Sequence, residues 1–343
     1  MGSVLDRLPP ESAVAILRLR SLGDCVLTTA ALTILQSARP DLRVAVVVED
    51  RFRDIFERLA PTLPPTLTAL RSFRPQLCLN LHGGTRSAWL TALSGAPYRA
   101  GFSHYRHQAV YNIHIPRAQE ILGVHRKVHT AEHLASAVFY LQFGDRRLDS
   151  RSLGVSSPVP ELPYAVPPCR LSLGVSLPVP ELPYAVLHPV AATPAKTWPA
   201  AHFLSVANHL AATGLTPIFI GAATDHLAPF SAYRTVAGAP LAQIKSLLSA
   251  AALFIGNDSG PAHMAAAFGL PVIVIFGASD PAIWGPWRTH SEVLTAPEGI
   301  EQITPTQVLE ALSRLVGQVP TCPKPTCPKP IGADHRRQAG ARP

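Results

Sequence analysis

The stretch AVAILRLRSLGDCVLTTAALTILQSARPD, residues 13–41, decides how this chain folds. Residues 13–19 are a short apolar run bounded by polar residues, which reads as a parallel strand buried on both faces. RSLGD at 20–24 turns the chain, and the segment after it reads as a helix ending near Arg39-Pro40. The pattern then repeats. RVAVVVE at 43–49 and QLCLNLHG at 76–83 read as strands, with helices at 51–60, 85–93 and 130–140. Strand alternating with helix predicts a parallel sheet with right-handed crossovers.

A second α/β unit follows. It has strands at 185–188, 216–222, 253–258 and 271–277, and helices at 198–214, 241–252 and 260–268. Its last helix starts at the Thr304 cap and Pro305 and runs to Val316. Between the units, RSLGVSSPVPELPYAV at 151–166 recurs as LSLGVSLPVPELPYAV at 171–186, identical at 14 of 16 positions. Two copies are too few for a solenoid, so the duplication reads as a proline-rich linker. The expected organisation is a Rossmann-like domain at 1–150, a linker at 151–183, a second domain at 184–318 and a disordered Pro/Arg-rich tail at 319–343. Two such domains can turn the carboxyl ends of their strands toward one cleft, where open α/β sheets bind ligands.

Composition narrows the function. Of 343 residues 47% are apolar and 15% charged, which excludes wholesale disorder. Five scattered cysteines make no disulfide framework, and Cys322-x4-Cys327 has no second pair to complete a zinc site. No charge-free apolar run reaches the ~18 residues of a membrane span, and the N-terminus is unlike a signal peptide, so a cytoplasmic protein is expected. Residues 1–150 carry 18 Lys+Arg against 12 Asp+Glu, whereas 151–320 carry 7 against 9. Either the first half meets an anion, or arginine is simply favoured by a GC-rich genome. No aromatic-basic recognition module is present, so no nucleic-acid partner is expected.

Three segments can carry chemistry. In Arg20-Ser21-Leu22-Gly23-Asp24, Gly23 is expected to let the backbone approach a ligand, and Asp24 is either a cleft-facing acid or an ordinary first-turn aspartate. In Asp258-Ser259-Gly260-Pro261-Ala262-His263, a helix start offers a seat for a diphosphate, and Asp258 can accept from sugar hydroxyls. There His263 either reaches a phosphate or is a satisfied core histidine. Lys196, in the loop after the second unit's first strand, either neutralises a phosphate or is a solvated loop lysine. His125, His129 and His133 have the i, i+4, i+8 spacing of one helix face, read as a surface or interface stripe rather than a metal site. The chain has no GxGxxG, P-loop, GxSxG, HExxH or Asp-x-Asp, and no metal is expected.

SLGDCVLTTAAL, LCLNLHGGTRSAWLTALSGAPYRAGF, KTWP and GNDSGPAHMAAAFGLPVIVIFGASDP occur in the order found in glycosyltransferase family 9. Over roughly residues 13–318, outside the repeat, the chain resembles that ADP-heptose:lipopolysaccharide heptosyltransferase family. The resemblance implies the GT-B fold, with two Rossmann-like domains facing across a cleft. It implies inverting, metal-independent transfer of a heptose from ADP-heptose to a lipopolysaccharide inner-core acceptor. It implies no cofactor beyond the nucleotide-sugar substrate, and an anionic acceptor met at the inner membrane face. Asp24 matches the family's proposed general base, on an acceptor-side loop with Ser21 and Gly23. Lys196 matches the lysine on the donor phosphates, and Asp225 an acid near the donor nucleoside. Asp258, Ser259, Gly260 and His263 match the donor-binding turn and helix. Two departures stand out. Segment 221–238 looks shorter than the family pattern, as if a helix or strand were missing, and Asn80 stands where aspartate is common. Two other classes compete: a non-catalytic nucleotide-sugar or anionic-glycan binding protein, which would bind ADP without turnover, and a GT-B-type nucleotide-sugar epimerase, which would need no acceptor.

Overall fold

In the computed structural model, which describes residues 3–144 and 183–318 and, between them, 169, 171, 173 and 178–181, the run at 13–19 is buried throughout. Its core is strand β1 (Ala13–Leu17). Val14 and Ile16 pack on one face of the sheet and Ala15 and Leu17 on the other, so a continuous apolar run serves two helix layers. Helices α1 (Leu22–Ala38) and α5 (Thr130–Phe143) cover the first face. Leu70 of α2 (Leu67–Phe73) and Leu90 of α3 (Thr85–Leu93) cover the second. With β2 (Arg43–Val47), β3 (Thr62–Leu63), β4 (Leu77–Asn80), β5 (Tyr98–Phe102) and β6 (Ile113–Ile115), the parallel sheet runs β3-β2-β1-β4-β5-β6. A short helix, α4 (Ala118–Leu122), follows β6.

The second sheet repeats this order. Its strands are β7 (Tyr184–His188), β8 (Thr216–Gly221), β9 (Arg234–Ala237), β10 (Leu253–Asn257), β11 (Val272–Phe276) and β12 (Ser291–Thr295), arranged β12-β11-β10-β7-β8-β9. Phe203 and Val206 of α6 (Ala200–Ala212) and Val308 and Leu315 of α10 (Pro305–Gln318) cover one face. Helices α7 (Leu241–Ala250) and α8 (Gly260–Ala267) cover the other, and α9 (Pro281–Trp284) follows β11. The Thr304 cap is reciprocal: Gln307 N–H donates to Thr304 Oγ1 at 3.3 Å, and Thr304 N–H donates to Gln307 Oε1 at 2.8 Å. Strand order therefore reverses between β1 and β4 and again between β7 and β10. Ligands bind at such switch points.

One continuous core joins the sheets, because α1 lies against α8. A Cβ on Gly23 would stand 2.6 Å from the His263 ring, and one on Gly260 would stand 2.7 Å from the Leu22 side chain. Two bare Cα positions thus let two helix starts meet. Buried Lys245 of α7 adds a second tie, donating to Asp54 O at 2.6 Å and to Glu57 Oε2 at 3.3 Å.

Several expectations need correction. Segment 51–60 is not an α-helix but a 3₁₀ helix over Asp50–Phe56, and Arg58, at φ 61°, turns the chain toward β3. The shortened 221–238 segment keeps its strand, β9. Its crossover is one 3₁₀ turn, Ala228–Phe230, whose Phe230 stacks on Phe219 of β8 at 4.2 Å and covers the sheet in place of a longer helix. His125, His129 and His133 do not share a helix face: α5 starts at Thr130, so His129 is its cap and His125 precedes it. The first copy of the repeat and the tail lie outside the described residues. Among the described residues no helix is long and apolar enough to cross a membrane.

Candidate active site

β1 delivers Asp24 to the carboxyl edge of the first sheet. Ser21 caps α1 by position, but its hydroxyl donates to Asp24 Oδ2 at 2.8 Å instead of bonding to a helix amide. Arg18, at the end of the same strand, places Nη1 3.6 Å from that oxygen. β4 brings the next loop. Asn80 Oδ1 accepts from the N–H groups of His82 and Gly83, both at 3.0 Å. Its Nδ2 donates to Tyr111 Oη at 2.9 Å and to Ser87 Oγ at 3.1 Å. These hydroxyls rotate, so an amide here does the turn-shaping work of an aspartate with the bonds reversed. On that loop the pKa of His82 is lowered by burial and then by the charge of Arg18.

The second sheet's edge carries the predicted donor residues. Lys196 ends a 3₁₀ turn after β7 and reaches Asp258 Oδ2 at 3.2 Å. Asp258 follows β10 and also accepts from the Ser279 hydroxyl. Ser259 caps α8 by position, while its hydroxyl hydrogen-bonds His188 Nδ1 at 3.0 Å. Pro261 has no N–H, and that of Ala262 bonds to Ser259 O. Few amides are left at this helix start, so more of any anion recognition falls on Lys196. His263 is buried, its Nδ1 has no hydrogen-bond partner among the described residues, and burial lowers its pKa. Its ring packs on Gly23 and so links the two edges. Asp225 stands at the end of β8, where it accepts the Ala222 N–H at 2.6 Å. No contact joins it to Lys196 or Asp258.

A base-type carboxylate on one switch point and a lysine–carboxylate pair on the other, joined through Gly23 and His263, suit a reaction on a ligand held between the sheets. A profile described as glycosyltransferase family 9 (heptosyltransferase) matches residues 67–310. The chain belongs to this family.

Lipopolysaccharide heptosyltransferase 3 of Escherichia coli is 32% identical over 154 residues, an alignment that takes in 40% of this chain and 45% of that one. Lipopolysaccharide heptosyltransferase 1 of E. coli K12 is 27% identical over 333 residues, covering 88% and 99%. Among solved structures, E. coli ADP-heptose lipopolysaccharide heptosyltransferase II superposes with a TM-score of 0.74 at 23% identity, over 90% of this chain and 99% of that one. E. coli WaaC with ADP superposes at 0.68 and 21%, over 88% and 99%. The family 9 chain thus has the GT-B fold.

Sequence reasoning placed Asp24, Ser21, Lys196, Asp258, Ser259, Gly260 and His263 at these edges, and each is found there. Gly23 has a neighbour that the sequence did not announce. Its missing Cβ makes room for the His263 ring, and its φ is not left-handed. Arg18, Ser279 and His82 were not foreseen. Arg18 left a trace, as the charged residue in an otherwise apolar strand run.

Two consequences can be measured. A Cβ on Gly277, just after β11, would stand 2.0 Å from Ala195 O, in the turn that aims Lys196. Gly277→Ala in this family 9 chain is therefore expected to cost about 1–3 kcal/mol of stability, the usual scale of overpacking, and to weaken nucleotide binding. An unchanged melting temperature and unchanged affinity would contradict that packing. Burial pushes the pKa of His188 down to about 4 from 6.5, with Asp225 opposing. Between those values the unfolded chain binds the extra proton. Stability should then fall as pH drops below 6.5, by at most ~1.4 kcal/mol per pH unit for this group. Melting curves from pH 7 to pH 5 should show a smaller decline in His188→Asn, and an equal decline would contradict the assignment.

Proposed function

We propose that the chain is an inverting glycosyltransferase that moves a heptose from ADP-heptose to a lipopolysaccharide inner-core acceptor. The observation that carries this reading is the approach of the Asp24 edge to the Lys196–Asp258 edge through the Gly23–His263 contact. The names of the relatives support the donor and the acceptor class. In this reading residues 1–150 bind the acceptor and residues 184–318 the donor, with Asp225 toward the nucleoside.

The acceptor hydroxyl oxygen attacks the anomeric carbon from the face opposite the diphosphate, and the bond from that carbon to the diphosphate oxygen breaks. Asp24 takes the hydroxyl proton, and ADP leaves with the bonding pair. Lys196 and the positive end of α8 stabilise the charge growing on the leaving group. The excess of Lys+Arg in the first half favours an anionic acceptor, and brings the protein to an anionic inner membrane face. Among the described residues no group of three or more His, Cys, Asp or Glu is placed to hold a metal ion. Calorimetric titration with ADP and with UDP, in EDTA, tests the donor half. ADP-selective binding is expected. Equal binding of UDP, or binding only when metal is added, would contradict the reading.

A further inference from the structure

Arg18, Glu132 and Lys245 are the Lys, Arg, Asp or Glu side chains buried among the described residues. Two of them are well paired. Glu132 takes both terminal nitrogens of Arg126 at 2.7 and 2.9 Å and the His129 N–H at 3.2 Å. Lys245 donates to Asp54 O and Glu57. Arg18 is different. It is 6% exposed, and its buried Nε has no hydrogen-bond partner among the described residues. Its one carboxylate among the described residues is Asp24, with 3.6 Å between Nη1 and Oδ2. A guanidinium taken out of water and paired so sparsely is costly to keep, so fold stability does not explain it.

The geometry around Asp24 does. The Arg18 N–H donates to Val47 O at 3.1 Å, which carries the β1 ladder to the edge of the sheet and fixes where the side chain starts. The Ser21 hydroxyl donates to the same Oδ2 at 2.8 Å. Both partners of the carboxylate therefore sit on one oxygen. Among the described residues Oδ1 accepts no hydrogen bond.

We propose that Arg18 is the positioning residue of the base: with Ser21 it holds Oδ2 of Asp24 and leaves Oδ1 to take the proton of the acceptor hydroxyl. This rests on the reading of Asp24 as the base. A guanidinium suits the task because it attracts the carboxylate from a fixed place without occupying its second oxygen. Burial suits it as well, since water does not compete for the contact.

The test compares Arg18→Gln, Arg18→Lys, Ser21→Ala and Asp24→Asn with the wild type by transfer kinetics, ADP titration and thermal melting. Arg18→Gln is expected to lower kcat about 30-fold, within the range of coupling between close charge pairs, with KM for both substrates and affinity for ADP unchanged. Arg18→Lys returns a charge and should recover most of kcat. Ser21→Ala removes the other partner of Oδ2 from an exposed position, so folding is not at issue. It too should lower kcat at unchanged KM, and wild-type kcat there would contradict the two-partner arrangement. Wild-type kcat in Arg18→Gln would overturn the proposal. So would a loss that lysine does not recover and that brings equal losses of ADP affinity and melting temperature. An Asp24→Asn enzyme turning over at the wild-type rate would overturn the base reading, and this proposal with it. An inactive Asp24→Asn beside a fully active Arg18→Gln would overturn the positioning role alone.

Discussion

Asp24→Asn is expected to lower turnover by about 10²–10⁴-fold, the usual contribution of a general base, while ADP binds as it does to the wild type. The substitution keeps the shape of the side chain and can still accept from Ser21, so α1 should start as before. It cannot take the proton of an acceptor hydroxyl. Donor affinity should survive because the residues proposed to hold the donor, Lys196 and Asp258, stand on the other sheet's edge. Transfer kinetics with saturating donor, beside titration with ADP, separate the two effects. Wild-type turnover in the variant would remove Asp24 from the chemistry. A matching loss of ADP affinity would show that the carboxylate, or the helix start it occupies, belongs to the donor site.

The second large effect is expected at Lys196. Lys196→Ala should weaken ADP binding by about 1.5–3 kcal/mol, the scale of a hydrogen bond to a charged group. The structure adds a reason for the upper end of that range. Asp258 is largely buried and, among the described residues, keeps only the Ser279 hydroxyl when the ammonium is gone. Its carboxylate would then face the diphosphate uncompensated. Adding Asp258→Asn to Lys196→Ala should therefore restore part of the lost affinity, since the two residues are in contact and their effects couple. Equal affinity in wild type and Lys196→Ala would take the lysine out of the site. Strictly additive losses in the double variant would show that Asp258 binds the donor in its own right.

Most interior parallel strands could be read from the chain because burial on both faces leaves an unbroken apolar run; β5, YRAGF, has no such run and was not read. AVAIL, LCLN and VIVIF need no partner to be recognised. The edge strands lack that mark. β9 is RTVA and β12 is SEVLT, partly exposed and only half apolar, and β3 is two residues long. Their place comes from pairing with a neighbour, which no local pattern records. The candidate site was legible for a related reason. The turn at 256–263 and the SLGD turn each follow a buried strand and open a helix, so the strand's direction brings them to the carboxyl edge. What stayed hidden depends on contacts between distant segments. That Gly23 faces His263, that Gly277 faces Ala195 and that Arg18 faces Asp24 follow only once both sheets are built.

Transfer of a heptose with inversion is the proposed reaction. The direct measurement is a reaction of the purified protein with ADP-heptose and a lipopolysaccharide inner-core acceptor in EDTA, following ADP release and the anomeric configuration of the new linkage by nuclear magnetic resonance. ADP release that depends on the acceptor, and a linkage of configuration opposite to the donor's, are expected. Retained configuration, a sugar product formed without acceptor, or tight ADP binding with no transfer would contradict the proposal.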